Sequence, residues 1–404
     1  MTTASRTPAA VPWRSPTVRV VFAATALAPL GVPLVAPALP VVRAAFGLSD
    51  AAASLLVSVY FVTGIVLSPF IGLLADRWGR RLVLVPSLFV FALAGGAIAA
   101  APNFEAILAI RLLQGTAAAG IFVTTVTLIG DAFDGVQRNA VLGVNTAVLS
   151  AGAGVYPLVG GYLATLSWRA PFLAYLAGLP VAVFAWFALD EPRAERHRGG
   201  VAYLRRVART LSTRAAAIPY GTALATELLF FGTVLTTVPF LFARRYDLSP
   251  VHIGLVITAV EATSTAVAAA NGRLARRFSD DRIVALGYAC YGVGLLTAWV
   301  ATSLALVVAG VVVVGAGVGL TLPSVDALLS DLVSREYRAG ALSLRNSATF
   351  LGRAAGPILF AGVATETGYR PLLLAAGLFA FAGGSGVLFL SRGGRTGSRD
   401  APGT

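Results

Sequence analysis

Gly72-Leu73-Leu74-Ala75-Asp76-Arg77-Trp78-Gly79-Arg80-Arg81 is a short charged turn set between two long apolar runs, residues 53–74 and 82–101. At 1.5 Å of rise per residue, about 20 residues cross a hydrocarbon core, so each run is long enough to span a bilayer. Arg77, Arg80 and Arg81 fall in one short connection, and connections on the cytoplasmic side collect positive charge, so this turn is expected inside. Gly72 reads as a place where two helix backbones approach, Gly79 as a sharp turn, and Asp76 as a carboxylate at a helix boundary among arginines it can pair with.

Composition extends this reading to the whole chain. Of 404 residues, 57% are hydrophobic and 12% charged, where a soluble domain carries about 25% charged residues. Twelve spans with short connections use nearly all of that length. The net charge of +13 comes from arginines concentrated in the connections expected inside, so membrane topology explains it and no nucleic-acid partner is expected. There is no lysine, which excludes a P-loop ATPase within this chain. Cys290 is the single cysteine, read as helix packing, and the two histidines, His197 and His252, lie far apart, so neither a metal nor a cofactor is expected.

The pattern Gly-x-Leu-Ala-Asp-Arg-x-Gly-Arg-Arg between the second and third spans resembles the signature loop of the major facilitator superfamily, in particular its twelve-span drug:proton antiporter group. The resemblance covers residues 18–391. It implies an all-α polytopic membrane protein with twelve transmembrane helices in two pseudo-symmetric six-helix bundles. It also assigns Gly72, Asp76, Arg77, Gly79, Arg80 and Arg81 to a latch that holds the inner ends of the two halves together.

In order, residues 1–17 form a polar cytoplasmic tail. The first span, residues 18–42, carries Pro29, Pro33, Pro37 and Pro40 and is expected to bend and line a cavity. The fourth span contains Arg111 and Gln114 as Arg-x-x-Gln-Gly, which resembles a motif of proton-coupled members in which the arginine influences proton transfer. An arginine at the bilayer centre costs about 2.5–3.5 kcal/mol on insertion scales, so it is expected inside the bundle unless it snorkels. The fifth span holds Gly143, Gly152, Tyr156, Pro157, Gly160 and Gly161, which resembles the motif associated with exporters except that Tyr156 stands where glycine is expected. Residues 190–214 are arginine-rich and form the central cytoplasmic loop, with 203–211 readable as a basic amphipathic helix on anionic lipid.

The second half repeats the first. Gly272-Arg273-Leu274-Ala275-Arg276-Arg277-Phe278-Ser279 stands 200 positions after the signature loop, with Arg276 where Asp76 stands. Gly352-Arg353-Ala354-Ala355-Gly356-Pro357 echoes the fifth-span motif. The halves are therefore set at 18–189 and 215–391, with a cytoplasmic tail at 392–404. In such folds the site lies near the midplane between repeats.

Two acidic residues fall near mid-span, Glu227 in the seventh and Glu261 in the eighth, with Arg353 in the eleventh as the intramembrane counter-charge. A carboxylate at that depth can carry a proton or hold a cation, or can form a pair that only fixes packing. Which of the two Arg353 meets is not readable here. Asp326 and Asp331 are expected at the inner interface with Arg335 or Arg338. Tyr220, Phe230, Phe231 and Phe240 read as core or lipid-facing, or else as an apolar pocket lining.

The expectation is a monomeric proton-coupled exporter of a small organic compound, a drug or metabolite, in a bacterial inner membrane, with both termini cytoplasmic. Uptake of a sugar, organic acid or amino acid is the alternative within the fold, and a non-transporting receptor or scaffold the alternative outside it. No constellation of catalytic side chains in a loop points to an enzyme. Reporter fusions at Arg80 and within residues 192–214 are expected to report the same face of the membrane; opposite faces would overturn the twelve-span order.

Overall fold

The computed structural model describes residues 11–191, 209, 214–334 and 338–396; the side chain of Asp76, the basic stretch 192–208 with His197, and Arg335 lie outside the described residues. Everything described is helix or short connection. Eleven helices among these residues are long and apolar enough to cross a membrane.

The first span differs from the rest. Its prolines break it into α1 (Pro16–Leu27), two short 3-10 turns at Ala28–Leu30 and Ala36–Ala38, and α2 (Leu39–Phe46). Proline removes a backbone donor and clashes with the preceding turn, so four within twelve residues cannot lie in a regular α-helix. The expected bend is thus a full interruption, and it leaves the carbonyls of Leu30 and Gly31 available.

The first half continues with α3 (Asp50–Trp78), α4 (Arg80–Ala97), α5 (Phe104–Ala132), α6 (Gly135–Leu166), α7 (Ala170–Leu173) and α8 (Gly178–Ala188). Ser49 caps α3 and Asn103 caps α5, each accepting a bond from the backbone N–H three residues on. The second half has α9 (Arg214–Gly232), a π-helical turn at Thr233–Thr237, α10 (Val238–Tyr246), α11 (Pro250–Leu274), α12 (Asp280–Val300), α13 (Leu304–Asp331), α14 (Arg338–Thr367) and α15 (Tyr369–Thr396). One continuous apolar core runs through both halves.

Two antiparallel pairs join the halves, α3 against α14 and α6 against α11. Small residues let these helices close. An added Cβ at Gly161 would overlap the Pro250 carbonyl, and one at Gly254 would overlap that of Pro157. Within the first half, Gly160 lies against the Leu34 carbonyl and Gly152 against the Pro29 ring, so the fifth-span glycines seat α6 on the broken first span. Tyr156, the departure from the exporter pattern, is accommodated because its hydroxyl donates to the Ala26 carbonyl at 2.9 Å.

Gly143 corrects the reading of that motif, since nothing lies within 4 Å of the Cβ it lacks. Gly72 is corrected likewise: its nearest neighbour would be the Val123 side chain at 3.9 Å, an ordinary contact rather than a backbone approach. Gly272 meets nothing within 4 Å. The close glycine approaches between α6 and α11, Gly161 on Pro250 and Gly254 on Pro157, lie toward the Asp50 end of the molecule. The structure is closed at the Asp50 end.

Gly160→Val is expected to lower stability by about 1–3 kcal/mol through overpacking against a backbone carbonyl, whereas Gly143→Ala is expected to change it by less than about 0.5 kcal/mol. Thermal unfolding of the purified protein in detergent measures both.

Candidate functional site

At the Arg80 end, Gly79 turns the chain with φ +108° between α3 and α4, a conformation that favours glycine. The turn brings Glu191 onto the start of α4, where its carboxylate accepts from the backbone N–H of Arg80 at 2.6 Å and of Arg81 at 3.0 Å. This satisfies two donors a helix start leaves free and places negative charge at the positive end of the helix dipole. Arg80 reaches Asp131 at 2.7 Å and the Ala75 carbonyl, and Arg81 reaches the Trp186 carbonyl at 2.6 Å. Asp131, Ala75 and Trp186 belong to the first half, and Glu191 stands just past it at the start of the central connection. In this posture the described bonds of Arg80 and Arg81 tie the signature loop to its own half, and Arg77 is exposed.

Arg111 does not snorkel. It is fully buried, with Nε on the Leu56 carbonyl, Nη1 on Gln114 Oε1 and the Tyr175 hydroxyl, and Nη2 on the Gly31 carbonyl, at 2.7–3.2 Å. Tyr175 in turn donates to the Leu30 carbonyl at 2.7 Å, and Gln114 Nε2 donates to the Phe91 carbonyl. The acceptors exposed by the broken first span are thus the ones that hold this arginine. Its guanidinium also stacks over the Tyr60 ring at 4.6 Å. Gly115, whose missing Cβ lets α5 close on the Tyr60 carbonyl, makes the approach possible.

In the second half Arg353 meets Glu227, with Nη2 to Oε1 at 2.7 Å. Gly352 and Gly356 flank it four residues apart and let α14 settle on α9 against the carbonyls of Leu224 and Leu228, so the pair forms across a very close helix crossing. Glu227 is buried and the Arg353 side chain is 28% exposed. The guanidinium lies over Phe61, Phe231 and Phe350 at 5.2–5.7 Å, one ring each from α3, α9 and α14. Arg353 Nε is buried without a hydrogen-bond partner.

Glu261 on α11 is set apart: it makes no hydrogen bond or ion pair among the described residues, yet it interacts electrostatically with both Glu227 and Arg353. Tyr291 interacts electrostatically with both carboxylates and donates to the Thr226 carbonyl. Tyr60 links the two sides, stacked under Arg111 and within electrostatic reach of Arg353. The structure therefore brings Glu227, Glu261 and Arg353 into one cluster and places Arg111 with Gln114 across Tyr60 from it. Phe230, Phe231 and Phe240 are buried core residues, and Tyr220 is half-buried with its hydroxyl donating to the Ala341 carbonyl. Asp326 pairs with Arg345, because α13 and α14 bring those two side chains together; the side chains of Arg335 and Arg338, the partners expected from sequence, lie outside the described residues.

Tyr60, Phe61, Tyr175 and Phe350 went unnoticed in the sequence. Apolar spans are rich in aromatics, and only the rotation of each helix about its axis shows which rings face a charge.

Two pseudo-symmetric helical halves with a charged, aromatic-lined cluster at their interface define a polytopic membrane transporter. The sequence profile of the Major Facilitator Superfamily matches residues 21–243 and 220–403, and the chain belongs to that family. It is 26% identical over 361 residues to the bacillibactin exporter of Bacillus subtilis, covering 86% of this chain and 89% of that one. It is 32% identical over 149 residues to the quinolone resistance protein NorA of Staphylococcus aureus, covering 37% of this chain and 38% of NorA. Among solved structures, a bacterial homologue of the human lysosomal transporter Spinster, inward-facing and occupied, superposes with a TM-score of 0.81 at 17% identity, covering 95% of this chain and 98% of that one. The nucleoside transporter NupG superposes with a TM-score of 0.75 at 14% identity, covering 93% and 98%.

Removing one member of a buried pair costs about 3–5 kcal/mol, and the partial exposure of Arg353 places Glu227→Gln toward the lower end of that range. Glu227→Gln combined with Arg353→Gln is expected to recover most of the loss in thermal unfolding. Strictly additive losses would show that the two side chains do not support one another.

Proposed function

We propose that this chain is a proton-coupled exporter of a small organic compound, a drug or metabolite, working by alternating access. One observation carries the reading: Glu261, a carboxylate in a membrane-spanning helix, has no bonded partner among the described residues but interacts electrostatically with a Glu227–Arg353 pair at the interface between the halves. A charge there is expensive unless compensated, so Glu261 is suited to accept a proton or a cationic group, and Arg353 can redistribute between two carboxylates as it does. Arg111 and Gln114, with their polar atoms engaged by the first span and its neighbours, form the fixed cationic wall opposite.

Export is favoured over uptake by the two relatives, whose names describe an exporter and drug resistance, and by the fifth-span glycines that seat α6 on the first span and on α11. One charge crossing 100 mV releases about 2.3 kcal/mol, enough for a roughly fifty-fold solute gradient per proton before any pH difference. The setting is a bacterial cytoplasmic membrane, with residues 1–17, 190–214 and 392–404 on the cytoplasmic side, halves at 18–189 and 215–391, and a single copy forming the pathway. In this orientation the closed Asp50 end faces away from the cytoplasm, and the loop from Gly72 to Arg81, with Asp76 at its centre, joins the halves when the cytoplasmic end closes.

A drug-susceptibility and metabolite-accumulation screen of a deletion strain supplies the cargo for the decisive measurement. In proteoliposomes Glu261→Gln is expected to lose at least about ten-fold of transport driven by an imposed pH gradient while keeping counterflow exchange. A parental response to the gradient in both Glu227→Gln and Glu261→Gln would remove these carboxylates from coupling.

A further inference from the structure

At the end opposite the signature loop, one carboxylate collects three donors. Asp50, in the first turn of α3, is 4% exposed. Its Oδ1 accepts from Arg43 and from Arg244, each at 2.8 Å, and its Oδ2 accepts from the hydroxyl of Tyr369. Arg43 comes from α2 in the same half. Arg244 comes from α10 and Tyr369 from the start of α15, both in the other half. Among the described residues, the side-chain hydrogen bonds that run from one half to the other both end on Asp50. Local structure sets this up: Gly368, at φ +83°, turns the chain between α14 and α15 just before Tyr369, and Asp247, at φ +50°, ends α10 just after Arg244 and Arg245.

We propose that Asp50 is the latch of the gate at this end: parting of the halves here requires its release of Arg244 and Tyr369, and its bonds to them set how strongly the closed posture is favoured. The charges permit a reversible latch. When the halves separate, Asp50 keeps Arg43, so no carboxylate is left without a cation. Arg244 is already 52% exposed and is readily hydrated once free, and Tyr369 is a neutral donor. Arg43 also lies 5.8 Å over the Phe240 ring of the other half, so its movement with Asp50 breaks a second, weaker contact in the same step. The close glycine approaches between α6 and α11 cluster at this same end, so the ionic latch and the tight packing open together. The inference rests on the two-halved fold and its closed Asp50 end, not on proton coupling.

The test uses the full chain with Cys290→Ser, reconstituted in lipid, with spin labels at exposed positions. One pair, Ala45 and Thr302, reports the Asp50 end; the other, Val136 and Phe278, reports the Arg80 end. In Asp50→Asn the first distance is expected to lengthen and the second to shorten. The population open at the Asp50 end should rise about ten-fold for each charge-assisted bond lost. Tyr369→Phe, a change that keeps the ring, should move both distances in the same direction by a smaller amount. Asp326→Asn, which breaks a pair inside the second half, should leave both unchanged. Parental distance distributions in Asp50→Asn, or in Tyr369→Phe should Asp50→Asn not reconstitute, would overturn the latch. The distances need no substrate, so failure of the coupling scheme would leave this outcome readable.

Discussion

A hydrocarbon interior offers no water to polar groups, and that constraint orders nearly everything polar in this chain. Backbone freed by the prolines of the first span must find donors inside the protein, and Arg111 and Tyr175 supply them. A buried guanidinium needs acceptors as much as those carbonyls need donors. The helix break and the intramembrane arginine therefore satisfy each other, without any carboxylate. This makes the first half a fixed framework at the depth where the second half carries its charges.

The second half solves the same problem less completely, and function is read from that difference. Arg353 shares one bond with Glu227, rests among three aromatic faces and leaves Nε without a partner. Glu261 has no bonded partner among the described residues. A fully satisfied network specifies one arrangement, while a partly satisfied one has alternatives of similar energy. The contrast between Arg111 and Arg353 is the contrast between a fully bonded guanidinium and a partly bonded one.

Close packing and ionic contacts are distributed along the membrane normal in one sense. Toward the Asp50 end, glycines meet backbone carbonyls across the halves and one carboxylate gathers donors from both. Toward the Arg80 end, the corresponding glycines face open space and the arginines bond within their own half. A molecule built from a duplicated unit would be symmetric if its two ends were equally engaged. Opposite sign at Asp76 and Arg276 already breaks that symmetry in the sequence, and the packing breaks it again at the Asp50 end.

Much of this was legible without coordinates. Twelve apolar runs, arginine concentrated in the connections expected inside and the 200-residue echo between Gly72 and Gly272 define a duplicated helical membrane protein, because hydrocarbon thickness and the cost of charge act on composition directly. The cost of intramembrane charge also singled out Arg111, Glu227, Glu261 and Arg353. What composition does not hold is the rotation of each helix about its axis and its neighbours in space. Those decided that Arg353 takes Glu227 rather than Glu261, that Asp326 takes Arg345, that Gly143 and Gly72 touch no other backbone, and that Asp50 binds two residues of the opposite half. A pair forms only where two side chains are brought within about 3 Å, and over the 194 and 319 positions that separate Asp50 from Arg244 and Tyr369 only the packing of whole helices fixes that distance.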